Sequence, residues 1–340
     1  MSSRKKSKRI YKTTILFIIL DLIVTGCFFI MYGPWDYVRN LYVTTAMQTR
    51  SHKYLAKVFY NDEKISEIQD NNYYIAIDEN VNTDNITINT TEKTKYKDKY
   101  EEELFTRDNP DDDYKVIEVK VGNAKGYLIA IYEPTKVKLI RTKRFNAGTV
   151  GERVKDMCKR YGGRVCINAG GFANGLENGS DIPQGYVIDE GKVVWGGSSK
   201  GNIIGMTDEG KLKLMSNVTG QQAIESGIKY GVEFGPFLIV NGKSITIKGM
   251  PYGVANKCVI AQRQDGIMMF LVTEGETYID GASLKDVVEV LEKYGAYNAA
   301  NLDGGQSTSL VIENELINTP NYIAKKQGGR YVVTGWGLIP

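Results

Sequence analysis

Two short segments of this 340-residue chain hold the residue types that site chemistry needs. One is Asn301-Leu302-Asp303-Gly304-Gly305-Gln306-Ser307-Thr308-Ser309, a carboxylate followed by paired glycines and then hydroxyls. The other is Ile167-Asn168-Ala169-Gly170-Gly171-Phe172, directly after the short apolar run Val165-Cys166-Ile167. Paired glycines let the main chain turn sharply and approach a ligand closely. Successive N–H groups in such a turn form a nest for an anion. A carboxylate at a strand end, beside N–H donors and hydroxyls, suits a sugar or a sugar phosphate. Taken singly, Asp-Gly-Gly is also a common plain turn; two loops of one design make the functional reading stronger.

Other chemistry is nearly excluded by count. His52 is the only histidine, which removes Ser–His–Asp triads and histidine-rich metal sites. Catalysis must then rest on carboxylates, Lys or Arg, hydroxyls and main-chain N–H groups. Of the four cysteines, Cys27 lies in an apolar run, leaving Cys158, Cys166 and Cys258. No CxxC pair occurs, which argues against zinc. Cys158 and Cys166 bridge only if the fold permits, and the expectation is two reduced, buried thiols. The net charge of +3 and the lack of a basic stripe with interleaved aromatics argue against nucleic acid as a partner.

The elements that must position these residues begin with a basic tail, residues 1–12, and an apolar run over 13–33 interrupted only by Asp21. That length matches the ~20 residues a helix needs to cross a bilayer. The basic flank predicts a cytoplasmic N-terminus and an external C-terminal bulk. A cleaved signal peptide is the competing reading, with a shorter apolar core expected for it. Residues 34–60 show helical spacing at Val38, Leu41, Tyr42, Thr45, Leu55, Val58 and Phe59. Residues 61–113 contain no glycine, few apolar residues and the blocks Lys97-Asp98-Lys99 and Asp111-Asp112-Asp113. They are expected to form a polar stalk or spacer. Residues 114–340 read as one α+β domain with a mixed, β-rich sheet and flanking helices. Glu152–Tyr161 and Ser283–Tyr294 are its expected helices, the latter with Leu284, Val287, Val288 and Leu291 on one face. Asn241-Gly242 and Asp265-Gly266 are expected hairpin turns.

From about Tyr114 to Pro340 the chain resembles the phosphodiester glycosidase family. The resemblance rests on Asn168-Ala169-Gly170-Gly171-Phe172, Pro183-Gln184-Gly185 before Asp189-Glu190-Gly191-Lys192, and Gly235-Pro236. Above all it rests on Gly295-Ala296-Tyr297 leading into Asn301-Leu302-Asp303-Gly304-Gly305 with Ser307. Upstream, Tyr42-Val43-Thr44-Thr45-Ala46-Met47 and Ser51-His52-Lys53-Tyr54-Leu55 are similar to the juxtamembrane segment of Gram-positive members. There are departures. Lys257 and Cys258 stand where members commonly carry Arg and Thr, Gln306 replaces a third glycine, and Glu274 occupies a common aspartate position.

The resemblance implies hydrolysis of a sugar-1-phosphodiester on its glycosidic side, with an N-acetylglucosamine-1-phosphodiester-like substrate in cell-envelope or exopolysaccharide glycans. It implies Asp303 as the nucleophile or the base for water, with Glu274 second. Lys257 and Arg330 would stabilise charge. Asn168, Phe172, Asn301 and Ser307 would line the substrate site, and Gly170, Gly171, Gly304 and Gly305 would supply close donors. The sequence requires no cofactor. A divalent cation, Ca²⁺ or Mg²⁺, is an option if the carboxylate does not face the sugar ring. The expected partners are a phosphodiester-linked glycan and, through residues 13–33, the lipid bilayer. A non-catalytic wall-glycan-binding module on a membrane stalk is the alternative function.

Overall fold

The computed structural model describes residues 2–49, 52–91, 93–173, 180–275, 280–320 and 325–340. Every expected site residue is among them; Ser51 of the juxtamembrane motif is not. The chain divides into two compact units, one of residues 1–73 with 248–253, the other of 74–247 with 254–340.

The first unit opens with helix α1 (Ser2–Tyr32), whose apolar part runs from Tyr11 to Tyr32. This is long and apolar enough to cross a membrane. The expected helix over 34–60 is two helices, α2 (Asp36–Gln48) and α3 (Tyr54–Phe59). The break follows from Thr49. Its hydroxyl donates to the Ala46 carbonyl (2.8 Å) and accepts from the His52 N–H (2.9 Å), so a side chain replaces helical main-chain partners. Helix α4 (Asp62–Asp70) starts at Asn61, whose side chain accepts from Lys64 N. Its Ile65 and Ile68 are buried with Val43, Ala46, Ala56 and Tyr60.

The expected stalk is therefore folded, which corrects the reading of 61–113 as a spacer. Its first part forms α4. In the second unit it forms α5 (Lys99–Phe105), with Leu104 and Phe105 fully buried. The charge block Lys97-Asp98-Lys99 contains the cap: Asp98 accepts from Tyr100 N and Glu101 N.

The second unit is the β-rich α+β body with flanking helices. Most of its strands lie in three sheets of five or seven strands in which every neighbouring pair is antiparallel, so the mixture is of helix and strand rather than of strand direction. The largest sheet orders Lys243–Ser244, Phe237–Val240, Asn298–Asn301, Cys258–Gln262, Met268–Glu274, Ala124–Ile131 and Tyr114–Val121. One face meets α5 and α8 (Leu284–Lys293). The other joins a core with Ile167, Leu310 and Trp336 from a second sheet and Ile204, Leu214 and Val232 from a third. Burial on both faces explains the unbroken apolar runs Met268–Val272 and Val259-Ile260-Ala261.

Helix α6 (Val154–Tyr161) begins two residues later than expected, because Glu152–Arg153 pair with Tyr331–Val332 as strands. It ends at Gly162 with φ +68°, where glycine carries no Cβ penalty. The chain then turns back, so that α6 lies against Val165–Asn168 and Cys158 forms a disulfide with Cys166, their Cα atoms 5.9 Å apart. This corrects the expectation of two reduced thiols; Cys258 stays a free, buried thiol. Helix α7 (Gly220–Glu225) covers the third sheet. Helix α8 has the expected apolar face, and Ser283 caps it reciprocally with Asp286.

Candidate active site

Two strand ends build the site. Val165–Asn168 is central in the second sheet, and Asn298–Asn301 is internal to the largest. Beyond them the two glycine loops meet. The Asp303 N–H donates to the Ala169 carbonyl (2.9 Å). The Asn168 Nδ2 donates to the Asp303 carbonyl (2.6 Å), and its Oδ1 accepts from the Ser309 N–H (2.9 Å). Asn168 is 1% exposed. It is thus a brace between the loops, where the sequence suggested a sugar-binding side chain.

The glycines differ in role. The Gly170 N–H donates to Thr334 Oγ1 (3.0 Å), and the Gly305 N–H to the Asn256 carbonyl (2.8 Å). Among the described residues no hydrogen bond joins the N–H of Gly171 or Gly304 to a protein acceptor. Gly304 demands glycine, because a Cβ there meets fixed main chain, whereas at Gly171 the nearest atom is the movable end of a side chain. A Cβ on Gly304 would stand 2.6 Å from the Asn256 oxygen, and one on Gly171 would stand 2.6 Å from Gln184 Oε1.

Arg330 joins the same cluster. Its guanidinium lies over the Phe172 ring, 4.9 Å from the centroid, and its Nη1 donates to Ser307 Oγ at 3.4 Å. Phe172 and Ser307 are buried, whereas Arg330 and Asp303 are partly exposed. The ring therefore serves as the platform for the cation rather than as a ligand contact. Asn301 sits at the strand end, its Nδ2 donating to the Gly235 carbonyl (3.3 Å). Its buried Oδ1 has no hydrogen-bond partner among the described residues.

Two expected residues lie elsewhere. Lys257 is 5% exposed, and its charge partner is Asp286 at the start of α8. Burial pulls its ammonium down to about 8, with Asp286 opposing that shift. Its neighbour Cys258 turns the other way, donating through Sγ to the Asn168 carbonyl (3.4 Å). Burial, and then the Asp303 charge, push the Cys258 thiol well up. The structure thus brings Cys258, and not Lys257, to Asp303. Glu274 is held by the Thr319 N–H (2.6 Å to Oε2) and the Tyr127 hydroxyl (3.2 Å to Oε1), which fits a brace for the 318–320 turn.

Thr334 and Asn256, which also fix the loops, lie outside the motifs legible in the sequence. Asn256 also donates through Nδ2 to the Pro320 carbonyl (2.8 Å). A polar residue next to a buried apolar strand, as Asn256 and Thr334 are, was the available signal. Glu233 lies outside those motifs too. Burial raises its carboxyl above the usual range. It overlies Gly201 and Gly185, while its neighbours Val232 and Phe234 face Gly170 and Gly171. Strand alternation therefore aims Glu233 away from the loop cluster.

Residues 161–339 match the sequence model of the family described as phosphodiester glycosidase. A relative in Bacillus subtilis (strain 168), the SPbeta prophage-derived uncharacterized protein YomE, is 27% identical over 185 residues. That match covers 52% of this chain and only 28% of the relative's length. Among solved structures, the catalytic domain of zebrafish N-acetylglucosamine-1-phosphodiester alpha-N-acetylglucosaminidase, auto-inhibited by its pro-peptide, superposes with a TM-score of 0.55 at 17% identity. The superposition covers 67% of this chain and 82% of that one, and it shows the shared fold.

Proposed function

This chain belongs to the phosphodiester glycosidase family, and from that premise we propose that it is an extracytoplasmic hydrolase cleaving a sugar-1-phosphodiester at the anomeric carbon. The observation that carries this reading is the convergence at the two glycine loops. Asp303, the Gly171 and Gly304 main chain, and the Arg330 guanidinium gather there.

Asp303 is the carboxylate of the reaction, as base for water or as nucleophile. The bond from the anomeric carbon to the phosphate oxygen breaks, and the electron pair leaves with the phosphate. A phosphate monoester has a second pKa of about 6, so its departure needs little help from an acid. Arg330 and the Gly171 and Gly304 main chain hold the phosphate charge near a carboxylate that would otherwise repel it. An N-acetylglucosamine-1-phosphodiester-like glycan of the cell envelope or an exopolysaccharide is the proposed substrate. The disulfide supports an oxidising compartment. The apolar part of α1 supports a single-pass anchor with the second unit outside.

The test uses the full chain in detergent with a synthetic N-acetylglucosamine-1-phosphodiester, with and without EDTA, following free sugar. Turnover that Asp303→Asn abolishes is the expected result. Dependence on Ca²⁺ or Mg²⁺ would appear in the EDTA arm. A folded parent that binds the glycan without turnover, with binding that survives Asp303→Ala, would instead make this a wall-glycan-binding module.

A further inference from the structure

Helix α3 is attached to the end of α1 by aromatic rings. The Phe59 ring meets Phe28 edge-on at 5.7 Å, and Tyr60 packs on Tyr32 at 5.6 Å. The Tyr60 hydroxyl donates to the Met31 carbonyl (2.5 Å), and the Tyr32 hydroxyl donates to the Phe59 carbonyl. These contacts lie within the first unit and fix the height of α3 along α1.

That height can be compared with a bilayer. The apolar part of α1 has 22 residues. At about 1.5 Å per residue this is roughly 33 Å, against a hydrocarbon core of about 30 Å. Tyr32 then lies at the outer boundary, and Phe28, one turn earlier, lies about 6 Å deeper. A ring packed on Phe28 cannot stand clear of the headgroups. The outward face of α3 suits this position. Tyr54 and Val58, one turn apart, are 59% and 63% exposed. Trp35 packs on Phe29 of α1 at 5.0 Å, at the same level of the helix end. Amphipathic rings at this depth match the aromatic belt of membrane proteins.

We propose that α3 is an interfacial helix whose Tyr54–Val58 face is immersed in the outer headgroup region of the bilayer. This rests on the reading of α1 as a membrane-crossing helix. The partner is the lipid surface itself, continuous with the rings that α1 presents to lipid.

The experiment reconstitutes the full chain into phosphatidylcholine vesicles with bromine either high or low on the acyl chains. Val58→Trp, Tyr54→Trp and Leu20→Trp each add one emitter to the parent's own tryptophans. The added emission of Val58→Trp and Tyr54→Trp is expected to lose roughly half its intensity to bromines near the headgroups, and less to deep ones. Leu20→Trp is expected to be quenched most by deep bromines. Quenching of Leu20→Trp alone would overturn the interfacial helix and leave the span. An unquenched Leu20→Trp would overturn both.

Discussion

The Asn168 carboxamide links the two glycine loops by holding the main-chain carbonyl of Asp303 at 2.6 Å while accepting the Ser309 N–H at 2.9 Å. Replacing it with alanine removes the hydrogen bonds to the part-buried Asp303 carbonyl and to the buried Ser309 N–H. Such a loss costs about 1–3 kcal/mol per group. Asn168→Ala is expected to lower unfolding free energy on that scale and to cut kcat more than KM, read by urea denaturation and initial rates. Asn168→Asp should be worse, since a carboxylate would face the Asp303 carbonyl oxygen.

Arg330 holds its position through the Phe172 face and Ser307. Lysine keeps the charge but lacks the planar fork that stacks and makes two parallel contacts to phosphate. Arg330→Lys is expected to raise KM about tenfold with a smaller change in kcat. Arg330→Ala should lose more in kcat/KM, about 10²-fold, and phosphate inhibition should weaken in parallel.

Lys257 gives a pH signature with a definite sign. Its folded-state pKa, about 8, lies below the ordinary lysine value. Between about pH 8 and pH 10 the unfolded chain binds the extra proton, so stability rises with pH across that window. Lys257→Met removes a buried, poorly partnered charge. It is expected to stabilise the protein at pH 7 by about 1–3 kcal/mol and to flatten that rise. Denaturant titrations at several pH values measure both effects.

The Cys158–Cys166 bridge joins α6 to the strand that ends at Asn168, across a sequence separation of 8. Closing a loop this short limits the unfolded chain by about 2–3 kcal/mol. The Cys158→Ala/Cys166→Ala double variant is expected to lose that much stability. Incubation with dithiothreitol should mimic it only after partial unfolding, because both sulfurs are buried.

The two loops were legible because glycines, a carboxylate and hydroxyls at strand ends leave a mark in the residue order. Which of Lys257 and Cys258 faces Asp303 was not. Strand Cys258–Gln262 is buried on both faces, so its apolar run shows no alternation from which to read direction. The fold of residues 61–113 is hidden in the sequence for another reason. Its apolar anchors, Ile65 with Ile68 and Leu104 with Phe105, are few and widely separated in polar sequence, and their burial depends on partners outside the segment: α2 and α3 for the first pair, distant strands and α8 for the second. The disulfide needed α6 to fold back over its own following strand, a tertiary event across Gly162-Gly163 that spacing alone leaves open.

Helix α5 decides where a detached second unit can begin. Leu104 and Phe105 cover Ile117, Val121 and Leu128, and the Tyr132 hydroxyl holds the Leu104 carbonyl at 2.7 Å. A cut in the chain just before Tyr114 would leave that helix attached by non-covalent contacts alone. Its departure would uncover a greasy sheet face prone to self-association. A truncation meant to yield the second unit alone must therefore begin ahead of α5, and with Val81 and Ile86 also buried it belongs near Tyr74, well upstream of the family's region of sequence similarity.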